Sequence, residues 1–95
     1  MGKLDTLARL AADYYEVPFE KLKSPHRGKV CTIPRHVCQW VACDAGYKKS
    51  EVARYWGLDR AAVYYGVKIV AARMKSSKHE KEELKRFLRF LKVYL

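Results

Sequence analysis

The 95-residue chain contains no apolar run near the length of about 18 residues that a membrane-spanning helix needs, and no hydrophobic segment with a cleavage site follows Met1. Neither a membrane protein nor a secreted precursor is expected; the reading is a cytoplasmic protein. Cysteine is scarce and odd in number: Cys31, Cys38 and Cys43 are the whole set, so a disulfide framework is not expected and the thiols should be reduced. There is no glycine-rich phosphate loop, no serine beside a histidine base and no pair of carboxylates in an apolar setting. An enzyme is therefore not expected, and no cofactor is called for. The length allows one small domain with a single core, too small for a large cleft.

Acidic residues are also in deficit, with 10 Asp and Glu against 20 Lys and Arg, a formal charge of +10 and a pI near 9.7. Residues 1–20 carry two basic and four acidic side chains, residues 21–75 twelve and three, and residues 76–95 six and three. The middle alone contributes +9, which favours a polyanionic partner.

The apolar residues that are present recur at helical spacing, and no segment reads as a strand. Leu4, Leu7, Ala8, Ala11, Ala12, Tyr14 and Tyr15 mark a first helix that Pro18 should stop near Val17. Residues 18–33, opening with "PFEKLKSPHRGK", read as a basic loop. Pro34 suits the first turn of a second helix, through Val37, Trp40 and Val41 to Gly46. A third, shorter helix fits Ser50 to Trp56, Gly57 breaks it, and Asp59 can cap a fourth that keeps its period through Val63, Val67, Val70 and Met74. After "KSSKHEK" comes a fifth, amphipathic helix over residues 78–95, with Leu84, Phe87, Leu88, Leu91 and Leu95 on one stripe. The expected fold is a compact all-α domain of about five helices.

"SEVARYWG" and "LDRAAVYYGVKIV" give helix, short glycine turn and helix, the helix-turn-helix pattern. Val52 and Trp56 should pack against Val63 and Val67. The opposite face of the second helix then carries Ala61, Tyr65 and Lys68, with Asp59, Arg60 and Ala62 at its N-terminus, the end that enters a major groove. Arg60 can reach guanine O6 and N7, Asp59 can accept from cytosine N4, and an alanine methyl can meet a thymine methyl. Tyr65 and Lys68 suit phosphates, and Lys48, Lys49 and Ser50 open the preceding helix on the same candidate surface. Any two short helices joined by glycine give a similar string, and a basic face is commonly only solvated. The charge of the middle segment favours DNA.

"LAADYYEVPFEKLKSPHRGKV" and "IPRHVCQWVACDAGYKKSEVARYWGLDRAAV" together resemble the C-terminal DNA-binding domain of the bacterial replication initiator DnaA, over about Leu7 to Met74. That family has an "A-x-Y-Y-x-V" helix, a basic loop, an "AR-Q" helix, "L-x-E-I-G-x-x-FG" and "RDHTTV"; here stand "ADYYEV", "KSPHRGKV", "PRHV", "KSEVARYWG" and "LDRAAV". The resemblance implies a Trp-repressor-like helix-turn-helix domain that binds double-stranded DNA in the major groove through its recognition helix and in the minor groove through its basic loop. The family's minor-groove arginine falls on Lys29, with Arg27 close by, either suited to the negative potential of an A·T-rich groove. The family's "DHTT" falls on Asp59, Arg60, Ala61 and Ala62, of which only Asp59 is retained, and one residue is missing before it. These departures argue against the family's own box sequence. No ATPase domain accompanies the module here, so a stand-alone regulator of transcription or replication is expected, without ATPase activity.

The other polar and aromatic residues read more plainly. Cys31, His36, Cys38 and Cys43 match no zinc spacing, so no metal is expected. His26, in the basic loop, is suited to phosphate or to solvent. Trp40, Trp56, Tyr14 and Tyr15 lie on apolar stripes and should be core. Tyr64 and Tyr65, about 100° apart on their helix, cannot both be buried, and Tyr65 is the expected contact. The last helix carries the alternative function, a basic adaptor or dimerising protein that engages a homodimer mate or another protein through residues 78–95; packing of that helix on the domain's own core is the simpler expectation.

Overall fold

The computed structural model describes residues 2–24 and 28–94. Expectations for Arg27, His26 and Leu95 lie outside the described residues. Six helices succeed one another: α1 Lys3–Tyr14, α2 Phe19–Lys23, α3 Lys29–Asp44, α4 Lys49–Trp56, α5 Arg60–Ser76 and α6 Lys78–Tyr94. No strand occurs among the described residues. The helices wrap one apolar core to which all six contribute, including Ala8, Ala11, Leu22, Cys38, Val52, Val63 and Phe87.

Where about five helices are expected from sequence, six stand among the described residues. The segment read as a loop holds α2, because Leu22 is fully buried and pulls one turn against the core behind Pro18. Two basic residues fix that turn. Arg35 donates from Nε to the Leu22 carbonyl at 2.9 Å and from Nη2 to the Ser24 carbonyl at 2.6 Å. Lys23 donates to the Tyr55 carbonyl at 2.6 Å while its ammonium stands 3.4 Å from the Tyr55 ring centroid. A cation at a helix C-terminus meets the negative end of the dipole, so Lys23 ties α2 to the end of α4.

The start of α3 is a second correction. It begins at Lys29, and Pro34 stands inside the helix rather than in its first turn. The ring removes an N–H that would have bonded to the Val30 carbonyl. Val30 is 71% exposed, so water can satisfy that carbonyl, while Cys31 and Pro34, three apart, are both buried and hold the early turns on the core. α1 likewise ends at Tyr14, short of Val17. Glu16 takes a left-handed conformation (φ 55°), and the Val17 N–H donates back to the Ala12 carbonyl at 2.9 Å, the paired-bond termination of a Schellman motif.

Between α4 and α5 the chain turns in three residues. Gly57 adopts φ 68°, where a side chain is strained, and the Leu58 N–H closes on the Ala53 carbonyl at 2.9 Å. Asp59 then caps α5, its Oδ1 accepting from the Ala62 N–H at 2.9 Å. The break before α6 is only Ser77, whose hydroxyl accepts from the Glu80 N–H at 3.2 Å. α6 lies back on the domain: Phe87 is fully buried, with the Tyr14 and Tyr15 rings 5.2 and 5.5 Å away.

α5 and α3 pack closely at Gly66. A Cβ there would stand 2.6 Å from Gln39 Oε1 and 2.8 Å from His36 Cδ2. Glycine in mid-helix costs about 1 kcal/mol relative to alanine, and the close approach accounts for it. Gln39 is 1% exposed, so although neither amide atom has a hydrogen-bond partner among the described residues, a displaced side chain has only packed core to move into. Gly66→Ala should therefore lower the unfolding free energy by about 1–3 kcal/mol despite the better helix former. Adding Gln39→Ala should recover part of that loss, since the two sites share one clash. Thermal melts of the four chains give the coupling; a melting temperature raised by Gly66→Ala alone would mean the helices have room to spare.

Candidate nucleic-acid interface

The exposed side of α5 is set by what its other side buries. Val63, Gly66 and Val70 face the core, with Val67 half-buried beside them. That leaves Arg60, Ala61, Tyr64, Tyr65 and Lys68 outward, with Ala62 partly covered. Tyr64 and Tyr65 are 52% and 61% exposed, unusual for two large aromatic residues side by side.

Of the sequence-derived residues, Lys49 at the start of α4 and Lys68 of α5 meet at one side chain, Tyr64. Lys48 stands just before α4, where Glu51 accepts from its backbone N–H at 3.0 Å, and Lys49 and Ser50 form the first turn. The Lys49 ammonium lies 5.7 Å from the Tyr64 ring centroid and that of Lys68 lies 5.4 Å from it. Tyr64 thus sits between a cation from each helix of the pair, at distances where the ring face attracts both. Helical direction alone points to Tyr65 and passes over Tyr64. The missed signal is spacing: Lys68 is four residues after Tyr64, hence on the same helical face.

Asp59 is partly committed, because one carboxylate oxygen caps α5; only the other is free to accept from a base. The Arg60 side chain makes no hydrogen bond or ion pair among the described residues and is exposed. Tyr65 is steadied from beneath by His36 of α3, whose ring meets it edge-on with centroids 6.2 Å apart. His36 is held below its ordinary pKa by burial first, then by the charges of Arg35 and Arg73, so a neutral ring supports Tyr65 near pH 7.

Lys29 is apart from this group. It opens α3, with Gly28 and Val30 exposed beside it, and no hydrogen bond, ion pair or ring contact joins it to the α5 residues among the described residues. The basic middle of the chain is also not all available to a partner. Lys23 and Arg35 are spent on the ends of α2 and α4, and burial lowers the pKa of both, slightly offset by Asp5 and by Cys31 respectively.

No group of three or more His, Cys, Asp or Glu side chains is placed to hold a metal ion among the described residues. Cys31 and Cys38 are buried, and burial raises the pKa of the Cys38 thiol strongly. No described helix is long and apolar enough to cross a membrane. Compared with known proteins, the chain matches no family model and no curated sequence.

Proposed function

We propose that the protein is a sequence-specific double-stranded DNA-binding protein whose α4–turn–α5 unit acts as a helix-turn-helix, a regulator related in plan to the DNA-reading domain of DnaA. The observation that carries this reading is the outward face of α5. It combines Arg60 near the helix N-terminus, unpaired among the described residues, with two exposed tyrosines and with Lys49 and Lys68 flanking Tyr64. A merely solvated helix face has no need of two exposed tyrosines, whereas a duplex offers base edges to the N-terminal residues and phosphates to the tyrosine and lysines. The glycine turn and the Asp59 cap support it by fixing the angle between the two helices.

In this reading Arg60 carries base readout and the Ala61 and Ala62 methyls accept a thymine methyl. Lys48, Lys49, Ser50, Tyr64, Tyr65 and Lys68 position the backbone. Lys29, with Arg27, lies against the adjacent minor groove. The kinship with DnaA is proposed at the level of architecture, and the replaced recognition residues Arg60, Ala61 and Ala62 favour a target other than the initiator box, hence promoter control by occlusion or recruitment.

Selection of bound sequences from a random duplex pool tests the function directly. On the selected site, Arg60→Ala should cost about 1–3 kcal/mol, with little change on random duplex, because bidentate base contacts carry discrimination. Lys68→Ala should weaken both alike. Equal losses for Arg60→Ala on the two duplexes would assign it to the backbone, and an unenriched pool would remove the function.

A further inference from the structure

Behind the proposed interface, α3, α5 and α6 do not close completely. They leave a cavity of about 260 Å³, below the roughly 300–1,000 Å³ of sites for drug-sized molecules and so suited to a small metabolite. Its floor is apolar, formed by Val37, Ile69, Met74 and Leu84 among others, and its rim carries Arg73, His79, Glu80 and Glu83. Glu83 pairs with Arg86. Arg73 and Glu80 line the same space, yet they form no ion pair, and neither side chain makes a hydrogen bond among the described residues. A half-buried guanidinium and carboxylate left apart over an apolar floor is the arrangement that a ligand with matching ends would complete.

His36 lines this cavity and also touches Tyr65 of the proposed interface. One side chain therefore has a ligand-facing and an interface-facing side. α5 is shared in the same way, with Ile69, Val70, Arg73 and Met74 on the cavity and Arg60, Ala61, Tyr64, Tyr65 and Lys68 on the exposed face.

We propose that this cavity binds a small amphipathic carboxylic acid bearing a hydroxyl or amino donor, and that its occupancy adjusts duplex binding through His36 and α5. The carboxylate meets Arg73, the donor meets Glu80, and the apolar body covers the floor. A dianion such as phosphate fits less well, because Glu80 and Glu83 stand on the same rim as Arg73 and His79, and His36 is held neutral near pH 7. The ligand site stands on the cavity alone; its effect on duplex rests on the DNA-binding reading above.

Calorimetric titration of the free protein with 4-hydroxyphenylacetate, phenylacetate and 4-hydroxyphenylacetamide separates the parts. The first should bind saturably at one site, and the neutral amide about ten- to a hundredfold more weakly, as loss of a charge-assisted hydrogen bond implies. Arg73→Gln should reduce the acid to the level of the amide, and Glu80→Ala, which removes the acceptor, should erase the preference for 4-hydroxyphenylacetate over phenylacetate, with both variants melting near the parent chain. Absence of saturable binding by any of the three probes, or equal binding of all three, would overturn the site. Saturating 4-hydroxyphenylacetate should then change the affinity for the selected duplex about fivefold or more; an unchanged affinity would overturn the coupling and leave the site. A chain that binds no duplex at all would sink the DNA reading, while the titration would still decide the cavity.

Discussion

Phe87→Ala should lower the unfolding free energy by about 3–5 kcal/mol, the range for deleting a buried phenylalanine. Phe87 is fully buried, and the Tyr14 and Tyr15 rings from the end of α1 close over it. A domain of this length has on the order of 5–14 kcal/mol in total at about 0.05–0.15 kcal/mol per residue, so one substitution on the last helix would remove a large share of it. Val93, on the same helix but 77% exposed, gives the control: Val93→Ala should stay within about 0.5 kcal/mol. Urea denaturation of the three chains checks both. The comparison bears on function, because the rival reading makes the last helix a docking segment for another protein or a second copy. A helix whose apolar stripe is already spent on Leu84, Phe87 and Leu91 in the core has little left to offer a partner. Wild-type stability of Phe87→Ala would reopen that alternative.

The elements legible in sequence were those whose signal is periodic or conformational. The stripe of α6, the glycine break at Gly57 and the cap at Asp59 all stand where spacing and turn chemistry put them. What was not legible depended on partners distant in the chain. α2 is five residues long, too short for periodicity to register, and it exists because Leu22 finds the core and Arg35 and Lys23 hold its end. Pro34 resembles a helix start because proline is well placed there, but burial of Cys31 overrides that preference and pulls Lys29 to Ile33 into the helix. Gly66 gives no sign of its role, since only the packing of α3 against α5 reveals the close approach. For the candidate interface the pattern is similar. Tyr65 and Lys68 emerge from helical direction alone, whereas Tyr64 emerges from cations on two helices, and the internal use of Lys23 and Arg35 could not be told from the identical charge of the solvated residues around them.

That distinction between spent and available cations sets the size of the salt response. If Lys29, Lys48, Lys49, Lys68 and Arg27 neutralise about five phosphates, log affinity for duplex should fall with log salt at a slope near −4.5. Raising salt from about 50 to about 200 mM would then weaken binding roughly 500-fold. Fluorescence anisotropy with a labelled duplex at several salt concentrations measures it. The variants sharpen the assignment: Lys49→Ala with Lys68→Ala should reduce the slope by about 1.8, since each phosphate contact contributes about 0.9. Lys23→Ala should leave the slope unchanged while lowering stability, because its ammonium serves the Tyr55 carbonyl and ring. A slope that drops as far for Lys23→Ala as for one of the flanking lysines would mean that binding senses net charge, not an interface built on α4 and α5. A flat response with intact binding would mean that phosphates are not the partner, and the reading of this surface as a DNA interface would fall with it.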